Sequence, residues 1–102
     1  MSKIIRIANG QGFWGDSLQA PIDLIKKSNI DYLTLDYLAE VTMSIMQKQK
    51  NKNPKLGYAY DFVDFIELVA NHLKNKEVKI ITNAGGVNPY ECAKQIKKTL
   101  DN

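Results

Sequence analysis

What most constrains this chain is its alternation. Three short apolar runs rich in β-branched residues are separated by longer stretches of helical period, and no repeat or linker-like stretch interrupts them. Strand patterns separated by helix patterns imply parallel strands joined by crossovers. The first run, Lys3 to Asn9 with Ile4, Ile5 and Ile7, predicts a strand that ends abruptly at Gly10. A glycine-rich turn, Gly10 to Ser17, follows. Next comes a helix with an apolar face of Leu18, Ile22 and Ile25, capped by Asp16 or Ser17, with Pro21 tolerated in its first turn. Asp31 to Asp36 is the second strand. A second helix from Leu38 to about Lys50 carries a stripe of Leu38, Val41, Met43, Ile45 and Met46.

Beyond the polar connection around Pro54 and Gly57, Phe62, Phe65, Ile66, Val69 and Leu73 recur at the spacing of one buried helix face. Glu77 to Thr82 is the third strand. The last helix announces its start, with Asn88 as N-cap, Pro89 in the first helical position and Glu91 three residues after the cap. Its buried face is expected to be Cys92 or Ala93 with Ile96 and Leu100. The predicted fold is α/β and three-layered: a three-stranded parallel sheet with helices on both faces, in the order β-α-β-α-α-β-α. That is half of a doubly wound domain, with residues 1–102 forming a single α/β domain.

Composition narrows the classes without naming an activity. The net charge is +3, but 13 of the 14 basic residues are lysines scattered over helix surfaces, so no nucleic-acid partner is expected. No apolar run approaches the roughly 18 residues of a membrane span, and no secretory pattern follows Met1, so a cytoplasmic location without a membrane partner is expected. One cysteine excludes an internal disulfide and a cysteine-based zinc cage.

Ligands of open α/β sheets bind beyond the carboxyl ends of the strands. At those ends the sequence gathers Asn9, Gly10, Gly12, Phe13, Trp14, Gly15 and Asp16; then Asp36 and Glu40; then Asn83, Gly85, Gly86 and Asn88. Five of the six glycines and the only tryptophan lie here, which marks this rim as the binding-site expectation. Asp36, Glu40 and Asp16 are the candidates for acid/base work. With no histidine at the rim, only a hard ion such as Mg²⁺ would suit them, and no metal site is assigned. Gly10, Gly12 and Gly15 also spell G-x-G-x-x-G after a strand, with Asp36 standing 21 positions beyond the last glycine. That leaves a dinucleotide half-domain as an alternative, although Phe13 and Trp14 are bulky for such a turn and Asp16 would oppose a phosphate. The cofactor is unknown from sequence.

Four strings carry a resemblance: Ile7-Ala8-Asn9-Gly10-Gln11-Gly12-Phe13-Trp14-Gly15-Asp16, Leu35 to Thr42, Gly57-Tyr58 ahead of Asp61-Phe62-Val63, and Thr82 to Pro89. Together they resemble the N-terminal part of the acyclic terpene utilisation family, whose members are much longer. The resemblance implies a role near the breakdown of citronellol- and geraniol-type terpenes through acyl-CoA intermediates, with the matching strings as the family's signature. Two functions follow as expectations. The rim belongs to an enzyme or enzyme subunit that takes a small or acyl-CoA-linked metabolite. Alternatively, the chain is a non-catalytic half-domain that forms a homo-oligomer or joins a chain supplying the rest of the fold.

Overall fold

The computed structural model describes residues 3–101. Its elements are β1 (Ile7–Gln11), α1 (Gln19–Lys27), β2 (Tyr32–Leu35), α2 (Glu40–Lys52), α3 (Tyr60–Leu73), β3 (Lys79–Thr82) and α4 (Pro89–Leu100). The element order and the α/β class are those expected. The strands lie side by side as β1-β2-β3, and both pairs are parallel.

That order determines the layering. Right-handed crossovers between strands laid down in sequence put every connecting helix on one side of the sheet. Accordingly α1 packs on β1 and α3, and α3 packs on α4. The register puts Ala8, Leu33 and Ile80 in one row and Leu35 and Thr82 in the next, on the helix-covered face. Leu33 and Leu35 are buried there with Ile25, Phe65 and Val69. The other face presents Ile7, Tyr32 and Lys79, then Asn9, Thr34 and Ile81, and on it Ile7 is 69% and Ile81 57% exposed. The helices expected on both faces therefore cover only one face among the described residues. A second layer requires the strand order to reverse, as it does between the halves of a doubly wound domain; this sheet has the form of one half.

Local chemistry explains the elements and several shifted boundaries. The α3 period holds, with Phe62, Phe65, Ile66 and Val69 buried. In α4 the Asn88 Oδ1 accepts the Glu91 N–H, and Pro89 stands at the first position, as the sequence predicts. Cys92 forms the buried face, whereas Leu100 is exposed. Strand β1 starts at Ile7 rather than Lys3 and leaves Ile4 and Ile5 in solvent. It also runs through Gly10, with an irregularity between Asn9 and Gln11. Gly10 is a packing position: a Cβ there would stand 2.8 Å from the Pro21 Cβ and crowd Leu33 and Leu35.

Leu18 holds the N-cap position of α1 rather than Asp16 or Ser17, although the Ser17 hydroxyl accepts from the Gln19 N–H at 3.2 Å. In α2 only Met46 is fully buried; Val41 and Ile45, expected in its stripe, face solvent. Among the described residues this helix packs on no strand, so a broad apolar face has nothing to cover.

Candidate functional site

The three strand ends are joined by side chains that reach across them. Asp36, just past β2, accepts from Asn83 Nδ2 at 2.8 Å and from the Leu38 N–H at 3.3 Å, both at Oδ1. Asn83, just past β3, uses its own oxygen to accept the Tyr37 N–H at 2.8 Å. The two loops are thus locked in register, and the backbone N–H of Asp36 reaches the Gln11 carbonyl at the end of β1. Asp36 is exposed and its Oδ2 has no protein partner among the described residues. Asn9 lies on the uncovered face; with its carboxamide nitrogen turned toward β2 it donates to the Thr34 and Gln11 carbonyls, which makes it a clamp between β1 and β2.

The glycine turn closes on itself. The Asp16 carboxylate accepts from the Gly12 N–H at 3.1 Å and the Ser17 N–H at 2.8 Å, while the Asp16 N–H donates to the Phe13 carbonyl. Gly15 holds φ +96°, a left-handed conformation that a side chain would strain. Asp16 therefore shapes the loop. Its carboxylate occupies the amides that a pyrophosphate would need, and α1 begins only at Gln19, four residues past the last glycine. Both features depart from dinucleotide geometry.

On the far side, the segment before α3 is laced to the loop after β3. Ala59 N–H donates to Ala84 O at 2.8 Å, Val87 N–H to Gly57 O at 3.0 Å, and Asn88 Nδ2 to the Pro54 and Leu56 carbonyls at 2.9 Å each. Lys50, at a helix end where the sequence places only surface lysines, donates from Nζ to Val87 O at 3.1 Å. Gly86, at φ +55°, packs so closely on Met46 and the Gly57 carbonyl that a Cβ has no room, and a Cβ on Gly85 would meet Pro89 at 2.8 Å. Asn88 is buried and fully used in this lacing. Gly85, Gly86 and Asn88 thus build the rim's floor, whereas Asp36 and Asn83 face outward.

These positions carry the four strings noted in the sequence, and the chain matches the family described as acyclic terpene utilisation family protein AtuA over residues 5–102. The chain belongs to that family. No curated protein and no solved structure matches it.

In this acyclic terpene utilisation family member, a polar group beneath the rim escapes a reading of the sequence. Gln11 and Tyr37 are buried to 3% and 1% exposure, and neither Gln11 Oε1 nor the Tyr37 hydroxyl makes a hydrogen bond among the described residues. Gln11 Nε2 instead donates to the Phe13 carbonyl at 2.6 Å. Nearby, Trp14 Nε1 donates to Asp61 Oδ1 of α3 at 2.8 Å, so the glycine turn is fastened to a helix 47 positions away. Burial pushes the Tyr37 hydroxyl pKa far above its usual value, and the Asp61 carboxylate and Cys92 raise it further; the Gln11 side chain lies near enough to oppose that rise in part, without hydrogen-bond geometry. Burial also lifts the Cys92 thiol to about 11, which removes it as a nucleophile near neutral pH. Tyr37 follows Asp36 directly, but its inward direction depends on the Asn83 bond, which no local pattern announces.

Glu40 is the first residue of α2, exposed, and free of any hydrogen bond or ion pair among the described residues. The one ion pair found among them, Lys27–Asp23 at 3.6 Å, is on α1, so no lysine or arginine neutralises Asp16, Asp36 or Glu40. No cluster of three or more potential ligands able to hold a metal occurs among the described residues. Two surface hollows lie at the opposite, amino end of the strands, lined by residues that include Lys27, Asp31, Lys76, Glu77 and Val78. No helix among the described residues is long and apolar enough to cross a membrane.

Proposed function

We propose that the carboxyl-end rim of this family member binds a small, oxygen-bearing metabolite, with Asp36 and Asn83 as the central polar pair. The observation that carries this reading is the Asp36–Asn83–Tyr37 linkage, which fixes an exposed carboxylate whose Oδ2 is left free to accept from a ligand hydroxyl. Asn9, Gly10, Gly12, Phe13, Trp14, Gly15 and Asp16 form the wall on the β1 side; Gly85, Gly86 and Asn88 form the floor; Glu40 adds a second carboxylate at the rim. Asp36 and Glu40 are the acid/base candidates, and Asp16 is reserved for shaping its loop.

Three unneutralised carboxylates repel phosphate, so an acyl-CoA-linked substrate would present its acyl end here and hold its phosphates elsewhere. For the same reason, and because Asp16 occupies the loop amides, a dinucleotide is the less favoured ligand. The link to acyclic terpenes rests on the family match.

The test is a thermal-shift titration with geraniol and with geranoyl-coenzyme A, on the wild type and on Asp36→Asn. Ligand at 100 times its dissociation constant stabilises by about 2.7 kcal/mol. The wild type should gain several degrees with at least one probe, and Asp36→Asn should lose most of the gain at unchanged starting Tm. An equal gain in both proteins, or none in the wild type, would overturn the reading.

A second reading has its own observation. The uncovered sheet face, with exposed Ile7 and Ile81, fits a half-domain that associates with another copy or with a chain carrying further strands and helices. It predicts ligand binding only in the assembled form, and light scattering with and without ligand separates it from the first.

A further inference from the structure

The glycine turn has the construction of a movable part. Its internal hydrogen bonds, Gly12 to Asp16, Asp16 to Phe13 and Ser17 to Asp16, hold it as one unit. Gly12 and Gly15 have open space around them, since a Cβ at either would meet nothing within 4 Å. Two side-chain hydrogen bonds tie the turn to its surroundings: Trp14 Nε1 to Asp61 Oδ1, and Gln11 Nε2 to the Phe13 carbonyl. These same bonds bracket the two unpartnered buried atoms, Gln11 Oε1 and the Tyr37 hydroxyl. A buried polar atom without a partner is costly, and a fold retains two together only where something offsets them. At the tip of the turn Phe13 is 61% exposed, an apolar ring held out over the rim.

We propose that residues Gly12–Ser17 form a lid, latched by Trp14 to Asp61, over a niche in which Gln11 Oε1 and the Tyr37 hydroxyl receive a single hydroxyl group of a small organic ligand while Phe13 covers its hydrocarbon part. The hydroxyl donates to Gln11 Oε1 and accepts from Tyr37, so both orphaned atoms are satisfied at once. A phosphate or carboxylate is excluded, because the adjoining Asp61 carboxylate would repel it. This deepens the rim reading by naming where the ligand's oxygen sits, and it rests on that reading for the ligand's approach from the Asp36 side.

Trp14 is the only tryptophan in the chain, so intrinsic fluorescence reports the latch alone. In Asp61→Ala, acrylamide should quench Trp14 at least twofold more strongly than in the wild type, with unchanged far-UV circular dichroism. Geraniol, titrated as the hydroxyl probe, should shift wild-type Trp14 emission, and Tyr37→Phe should weaken that binding at least tenfold. Gln11→Met, which removes the other partner, should weaken it to a similar degree and serves if Tyr37→Phe fails to fold.

Unchanged quenching in Asp61→Ala, or no response of wild-type Trp14 to geraniol, overturns the lid. Wild-type affinity in Tyr37→Phe and Gln11→Met overturns the niche. If only Asp36→Asn loses binding, the rim reading survives and the niche falls. If only Tyr37→Phe and Gln11→Met lose it, the niche survives and Asp36 is not the recognising group.

Discussion

Removing one oxygen from Tyr37 should make this protein more stable. The side chain is 1% exposed, and its hydroxyl has no hydrogen-bond partner among the described residues, only the Gln11 side chain nearby without hydrogen-bond geometry, so folding strips it of water without full replacement. Leaving such a group unpaired costs about 1 to 3 kcal/mol. Tyr37→Phe keeps the ring and its edge-on contact with Phe62, whose centroid lies 6.0 Å away. The void left by one oxygen is on the order of 10 Å³, which at about 24 cal/mol per Å³ costs only ~0.2 kcal/mol. The balance is a gain of about 1 to 3 kcal/mol. In urea, with a slope of about 1 kcal/mol per M for a chain this small, the midpoint should rise by roughly 1 to 3 M at constant slope. A fall of more than ~0.5 kcal/mol would refute the reasoning, because it would mean that the hydroxyl is partnered in solution. Stability gained with binding lost is the signature of a group kept for function at the fold's expense.

Phe65, fully buried in α3, should cost about 3 to 5 kcal/mol on replacement by Ala in the same denaturation assay; a loss below ~1 kcal/mol would remove it from the core. Glu40→Gln, at an exposed residue without partners, should leave stability within about 0.5 kcal/mol while weakening ligand binding at the rim. Burial raises the Cys92 pKa from 9.0 to about 11, so the folded state holds this proton more tightly than the unfolded. That contribution is complete below pH 9 and is lost as pH rises toward 11, and the raised Tyr37 adds to the alkaline loss. Urea midpoints should therefore fall above pH 9, less steeply in Cys92→Ala. The bare sheet face predicts a dimer or larger species by light scattering, and a stable monomer at high concentration without apolar-dye binding would contradict it.

The sequence conveys the elements better than their partners. The α3 spacing and the Asn88-Pro89-Glu91 start are local patterns, and each governs its own few residues, so both are readable from the sequence. Val41 and Ile45 look like a buried stripe because α2 has helical period, yet whether a stripe is covered depends on where the helix lies. Strand composition is equally silent about layering: Ile7 and Ile81 read as core residues, and only the sequential strand order leaves them outside. The rim was legible as a set of strand ends, since parallel strands must share a side. The division of labour within it was not. Gly10 reads as a turn and proves to be a seat for Pro21; Asp16 reads as a cap for α1 and closes its own loop; Gln11 and Tyr37 turn inward through contacts made by residues 25 to 46 positions apart.

The lacing of residues 54–59 to residues 84–88 divides the molecule by resistance to opening. The stretch it encloses, α3 and β3, is closed at both ends by main-chain bonds and braced by α4, so these amides should be the slowest to exchange with deuterium. Strand β1 is an edge strand like β3, but no such lacing closes it: it is preceded by exposed Ile4 and Ile5 and has β2 and α1 as its neighbours. Its amides should exchange first, in a local opening that leaves the rest folded. The glycine turn hangs from the end of that strand. Whatever loosens β1 therefore loosens the turn as well, and a partner that added a strand alongside β1 would slow the exchange of the turn without touching it.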